Sequence, residues 1–325
     1  MTVTVYRWDD ASAPSLTHGA GNLLPILDAV LVNGYGAKPA LGWSKPFGTS
    51  GNVSVYQQPV GTNRRYLRVD SSLTVGSFYA AGLQSYETMT DMDTGTGKIP
   101  TTGQITEGYV RWAVTRSPSN VSPYRWVIIG DTSWFFMVIE CYSNNINDAP
   151  FHIDNAYVVT SFYGDVLEAN GSDAYTTALM TNTLNSSGVY YTNPILINGY
   201  TNTTGNQSPF FFHRPLSQIG SGALAGQYSL PIISTSGLVR YPNNSGKLFF
   251  SPIVLIDAYS DATTLPKEYR GIVPCVQYPW HSYTDLKNAT VYPLDILSDG
   301  VNPYLCIWVR SYIYGASVPI FLKLT

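Results

Sequence analysis

Residues 134–141 read WFFMVIEC, and residues 125–129, just upstream, read RWVII. Both runs are short, nearly uncharged and rich in Trp, Phe, Val and Ile, the side chains that suit a pleated, buried surface. Neither has the three-to-four-residue spacing of an amphipathic helix. Runs of the same kind recur along the chain: RYLRVD (65–70), GYVRWAVT (108–115), ILI (195–197), LFFSPIVLID (248–257), IVPCVQ (272–277), YLCIWVRSY (304–312) and VPIFLKL (318–324). Between them lie SNNINDAP (143–150), TNTTGNQS (201–208) and YPNNSG (241–246), which read as turns and loops. Pro252 within its run implies an edge strand or a bulge, because proline donates no ladder hydrogen bond.

One stretch breaks the pattern. NLLPILDAVLVN (22–33) places Leu23, Leu24, Leu27, Val30 and Leu31 on one helical stripe. Asn22 is positioned to cap its start, Pro25 falls in the first turn, and Gly34 is a natural stop. SDAYTTALM (172–180) is a second, shorter helix candidate, capped by Ser172 or Asp173. No repeated strand–helix unit of a parallel sheet is visible, nor any repeat of solenoid or propeller length. The expected class is mainly β, an antiparallel sandwich or barrel core with long loops and one short N-terminal helix at about 22–33. The chain reads as one β-rich module over 1–325, with a possible subdivision near 181–190.

Composition narrows the function. Among 325 residues only 12% are charged, with a net charge of −3, while 25 are tyrosine. Soluble domains usually carry about 25% charged residues, so the deficit is real. No basic face for nucleic acid is indicated, and no apolar run is long enough to span a membrane as a helix. The start, MTVTVYRWDD, lacks the basic flank and apolar run of a secretory signal, which implies synthesis in a cytoplasm. Cys141, Cys275 and Cys306 lie far apart in apolar runs, the pattern of small buried hydrophobes.

The search for chemistry is short. His18, His152, His213 and His281 have no partner at a metal-ligand spacing; His152 with Asp154 reads as a loop pair. DMDTG (91–95) opens like a calcium loop, but the twelfth residue is Thr102 and no glutamate closes the shell. NGYG (33–36) follows a helix, whereas a phosphate cradle precedes one. Glu140 stands out among apolar neighbours, yet strand alternation would turn it to water. The sequons at Asn120 and Asn288 are chance products of an Asn/Ser/Thr-rich chain. No enzyme, cofactor or metal is indicated. Tyrosines interleaved with Asn, Ser and Gly suit wet interfaces, or stacking on sugars.

Seven blocks occur in order over most of the chain: LLPILDAVLVNGYGAKPALGWSKPF (23–47), RRYLRVD (64–70), SYETMTDMDTGTGKIPT (85–101), RWVIIGDTSWFFMVIE (125–140), FYGDVLEANGSDAYTTALM (162–180), LVRYPNNSGKLFFSPIVLI (238–256) and RGIVPCVQYPWH (270–281). In this order the sequence resembles a family of virion structural proteins of tailed bacteriophages and prophages. The resemblance implies a non-enzymatic ring, collar, neck, baseplate or decoration subunit, built from copies of itself in a symmetric ring or trimer and touching other virion proteins. It also implies a location in the virion after synthesis in the bacterial host cytoplasm, while charge and hydropathy lead to the expectation of no nucleic-acid partner and no membrane insertion. The alternative is a receptor- or glycan-binding tail-fibre module. An enzyme acting on surface polysaccharide through Glu140 ranks third.

If contacts are the function, the loop after the first helix is the candidate interface or packing hub, through Tyr35, Trp43 and Phe47. The preferred account of Trp43 and Phe47 is that they cover the helix on the core.

Overall fold

The computed structural model describes residues 3–48, 51–105, 107–117, 122–143, 151, 156–167, 175–181, 183–184, 190–191, 210–214, 223–228, 250–257, 269–279, 291–310 and 317–325. In chain order these contain β1 (Thr4–Arg7), α1 (Leu24–Leu27), β2 (Ser44–Phe47), β3 (Val53–Gln57), β4 (Tyr66–Val75), β5 (Phe78–Tyr86), the ribbon β6 (Thr88–Met89) and β7 (Gly95–Thr96), and β8 (Val110–Arg116). Next come β9 (Arg125–Gly130), β10 (Trp134–Ser143), β11 (Ala156–Asp165), β12 (Thr177–Thr181), the small pair β13 (Thr183–Leu184) and β14 (Tyr190–Tyr191), β15 (Phe210–Phe212) and β16 (Ala223–Tyr228). The chain ends through β17 (Phe250–Asp257), β18 (Tyr269–Pro279), β19 (Ile296–Ser298), β20 (Pro303–Arg310) and β21 (Ser317–Lys323).

The protein is mainly β, and its sheets are antiparallel. A large sheet runs β1-β9-β10-β11-β12-β15-β16-β17-β18-β21-β20-β19, and a five-stranded one runs β2-β3-β4-β5-β8. Among the described residues neither closes into a barrel, so of the two expected architectures the sandwich is the one formed. Strands on both sides of 181–190 belong to the large sheet, since β12 pairs with β15.

The opening stretch now has its explanation. Phe135, Met137 and Ile139 of β10, with Trp126 and Ile128 of β9, pack toward the small sheet and α1. Trp134, Phe136 and Val138, with Val127 and Ile129, pack the other way, against Ile253, Leu255, Val273, Leu305, Ile307, Ile320 and Leu322. The register repeats this parity, pairing Met137 with Ile128 and Val138 with Val127. The middle strands are covered on both faces, which is why they read as continuous apolar runs without polar alternation.

The helix forms where expected, with Leu23, Leu24, Leu27, Val30 and Leu31 all buried and Ile26 buried as well. It continues past α1 as a π-helical turn, Asp28–Asn33, and stops at Gly34 with φ 75°. The returning chain takes up carbonyls at its end, with Leu41 N–H donating to Val30 O at 2.9 Å and Trp43 N–H to Leu31 O at 2.9 Å. These bonds satisfy last-turn acceptors that a helix leaves open. Asn22 does not cap the start. Its amide instead donates to Thr17 Oγ1 at 2.9 Å, and the Leu24 N–H is taken by Gly21 O at 3.0 Å.

Two further expectations are corrected. Residues 177–180, expected as the end of the second helix candidate at 172–180, lie in β12 (Thr177–Thr181), with every residue buried. Leu179 faces one core while Ala178 and Met180 face the other, a period-two burial that outweighs the helical propensity of Ala, Leu and Met; residues 172–174 lie outside the described residues. Glu140, expected to face water, is completely buried. Alternation exposes every second residue only when one face is wet, and β10 has no wet face.

Other expectations hold. All three cysteines are buried and unbridged. Pro252 sits in β17, flanked on both sides by strands, and the register breaks immediately after it, so of the two options it marks a bulge. Of the loop expected at 143–150, Ser143 is the last residue of β10 and 144–150 lie outside the described residues, as do the loops expected at 201–208 and 241–246 and the run at 195–197.

Candidate functional site

Tyr35, Trp43 and Phe47 go to three places. Trp43 is only 3% exposed, packs edge-on to Phe135 at 5.8 Å and Tyr163 at 5.7 Å, and donates its backbone N–H to Leu31 O, so it joins the helix end to the large sheet. Tyr35 is half-buried against Tyr6 and Trp126, and its hydroxyl donates to Asp10 Oδ2 at 2.9 Å. Burial, followed by the adjacent Asp10 carboxylate, pushes that phenol well above its ordinary range. Phe47 lies in a separate satellite with Val55, Tyr86 and Met89. Trp43 and Tyr35 contribute to one core, and Phe47 does not.

The motif-like positions resolve as turns and packing. Asp91 Oδ1 accepts the backbone N–H groups of Asp93 and Thr94, both at 2.8 Å, closing the turn between β6 and β7. Asp93 pairs with Arg68 at 2.6 Å. Glu140 faces Arg125 directly across the ladder at 3.3 Å and accepts the Phe151 N–H at 2.7 Å. His152, Asp154, Asn120, His281 and Asn288 lie outside the described residues. Among the described residues no three His, Cys, Asp or Glu side chains are grouped to hold a metal.

A polar seam absent from the sequence reading joins the two sheets. Ser85 at the end of β5 is bonded to Tyr163 of β11 (Oγ to phenol oxygen, 2.8 Å) and to His213 just after β15 (Oγ to Nε2, 2.7 Å). The other ring nitrogen of His213, Nδ1, lies 2.7 Å from Gly97 O. A carbonyl only accepts, so the proton belongs on Nδ1 and Nε2 is the acceptor for the Ser85 hydroxyl. Ser85 Oγ in turn accepts from Tyr163. Desolvation lowers the His213 pKa to about 4 and raises that of Tyr163 well above its usual range, so both are neutral near pH 7.

Two flanking clusters extend the seam. Arg214 grips Glu87 with two bonds, at 2.8 and 2.9 Å, which holds the carboxyl below its ordinary pKa. Arg65 and Arg214 lie over the Tyr175 ring at 5.1 and 4.9 Å. The fully buried Arg270 donates to Arg214 O at 2.9 Å and Tyr175 O at 3.1 Å. On the other side Asp165 Oδ1 accepts from Asn63 Nδ2 at 3.0 Å, Gln58 Nε2 at 3.2 Å and Thr177 Oγ1 at 2.5 Å. Residues 58–63, leaving β3, are thereby tied to β11 and β12.

Ser85 and His213 have the spacing of a nucleophile and its base. Their surroundings differ from a reactive pair: Ser85, His213 and Tyr163 are all sealed in the interior, and a carbonyl, not a carboxylate, orients the ring. The three side chains bond the small sheet to the large one across the packed core. Separations of 78 and 128 residues kept the trio invisible in the sequence. The only local trace is a histidine directly following FFF (210–212).

The large sheet ends at β19, which pairs only with β20 among the described residues. Here three apolar side chains stand in solvent: Tyr292 at 57%, Ile296 at 63% and Val301 at 86% exposure. Asp295 and Asp299 bracket the strand, and each carboxylate accepts backbone N–H groups of its own turn.

No helix among the described residues is long and apolar enough to cross a membrane. No family model matches the chain, and no curated protein matches it.

Proposed function

We propose that the protein is a non-enzymatic structural subunit of a tailed-phage virion, a ring, collar, neck, baseplate or decoration component that works through contacts with copies of itself and with other virion proteins. The observation that carries this reading is an exposed apolar ridge at the end of the large sheet among the described residues: Ile296 on β19, Tyr292 just before it and Val301 in the turn after it. An exposed edge with apolar flanks is a liability for a free monomer, and a subunit covered by its neighbour retains it. The ordered block resemblance and the charge-poor, tyrosine-rich composition point the same way.

The ridge favours a head-to-tail contact. Two-fold antiparallel pairing centred on Leu297 would set Asp295 of one copy against Asp299 of the other, and like charges directly opposite destabilise a ladder. A heterologous contact, in which the ridge meets a different surface of the next copy, avoids this and closes into rings. Mass spectrometry of purified particles tests the assignment: the protein is expected in stoichiometric amount in mature virions. Its absence from them would overturn the proposal.

A further inference from the structure

We propose that His213 is an acid-sensitive latch between the two sheets: neutral, it closes the seam; protonated, it lets the end of β5 and the β6–β7 ribbon part from β15. The inference rests on the seam's geometry and is independent of the virion assignment.

The latch follows from counting donors and acceptors. With a neutral ring every group is served, from Tyr163 O–H to Ser85 Oγ, from Ser85 O–H to His213 Nε2, and from His213 Nδ1–H to Gly97 O. A second ring proton turns Nε2 into a donor. Ser85 Oγ must then accept from the ring, and either its own proton or the Tyr163 phenol proton loses its place in the chain. An orphaned buried donor is costly, and so is the new charge on a ring that is 1% exposed.

The groups facing the ring from each neighbouring element set the balance. Ser85 and Glu87 come from β5 and the residues after it, Gly97 O from the segment after β7, and Tyr163 from β11. Arg65 comes from the segment before β4, and Arg214 is the ring's own neighbour. Desolvation disfavours the cation most; the Gly97 carbonyl and the Glu87 carboxylate favour it, but that carboxylate is already held by Arg214 at 2.8 Å, and the guanidiniums of Arg65 and Arg214 oppose a third positive charge. Position 97 favours glycine: its φ is 62°, and a Cβ there would overlap the Glu87 side chain.

An ordinary histidine titrates at 6.5 and the latched one at about 4. The open form binds the proton first, so opening is favoured as pH falls from 6.5 toward 4 and is unaffected above it. With these two values the open population rises about 20-fold between pH 7 and pH 5.

Hydrogen exchange with mass spectrometry, corrected for intrinsic pH effects, reads this segment by segment. Peptides covering 85–99 and 210–214 should exchange about 20-fold faster at pH 5 than at pH 7, with 126–139 unchanged. In H213Q, which cannot take up the proton, the rise should disappear. Equal acceleration in all segments, or the same pH profile in H213Q, would overturn the proposal. Should H213Q fail to fold, the imidazole of the wild type is titrated by NMR: a midpoint well below 6.5 supports the latch, and one at or above 6.5 sinks it.

Discussion

Replacing Trp43 with alanine separates a core role from a contact role. A buried tryptophan hides roughly 200 Å² of surface, which at about 25 cal/mol per Å² is worth about 5 kcal/mol as an upper bound. A compact denatured state already hides part of that area, which lowers the figure to about 4 kcal/mol. The two edge-on contacts, to Phe135 and Tyr163, add roughly 0.5–1.5 kcal/mol each. Against this, the Trp43 indole N–H is buried without an acceptor, and deleting it relieves about 1–3 kcal/mol. The sum is a loss of about 4 kcal/mol, within the usual span for a large aromatic cut to alanine. W43F keeps most of the ring contact and removes the orphan donor, so it should cost only about 1 kcal/mol. Urea unfolding of the isolated subunit, followed by far-UV circular dichroism, measures both variants, with the slope m held as a check on the denatured state. A W43A loss under about 1 kcal/mol, together with weakened self-association in sedimentation, would refute the reasoning and assign Trp43 to an interface.

Three other outcomes follow from the structure. E140A strips the buried partner from Arg125 and the acceptor from Phe151 N–H, and should cost about 3–5 kcal/mol in urea unfolding, with E140Q well below that; equal, small losses would mean the pair is not buried. The Glu87 carboxyl, held low by Arg214, stabilises the fold fully above its ordinary value of 4.5 and loses that contribution as pH falls below it. E87Q should therefore flatten the stability profile below pH 4.5 while leaving the fall between pH 6.5 and 4 intact; a change confined to the upper window would contradict the assignment. The double variant I296K/V301K should weaken self-association at least tenfold in sedimentation, with subunit stability within about 0.5 kcal/mol of wild type; unchanged association would remove the ridge from the contact.

What the chain's residues determine locally is legible without coordinates. Runs such as RWVII and WFFMVIEC are strands because their side chains pack on a pleated surface, and the stripe from Leu23 to Leu31 is a helix because its spacing makes one apolar face. Buried cysteines and the Pro252 bulge follow from the same local chemistry. Which faces are covered is not local. Glu140 is interior because other strands lie over both faces of β10, and no alternation rule within β10 reveals that second cover. The stretch TALMT carries helical residues, yet the slot between β11 and β15 makes it a strand, since ladder bonds and burial on both faces outweigh a few tenths of a kcal/mol of propensity per residue. The Ser85–Tyr163–His213 seam is the extreme case. Each member is an ordinary polar residue until the two sheets pack, and only then do three side chains from distant parts of the chain share one buried set of hydrogen bonds.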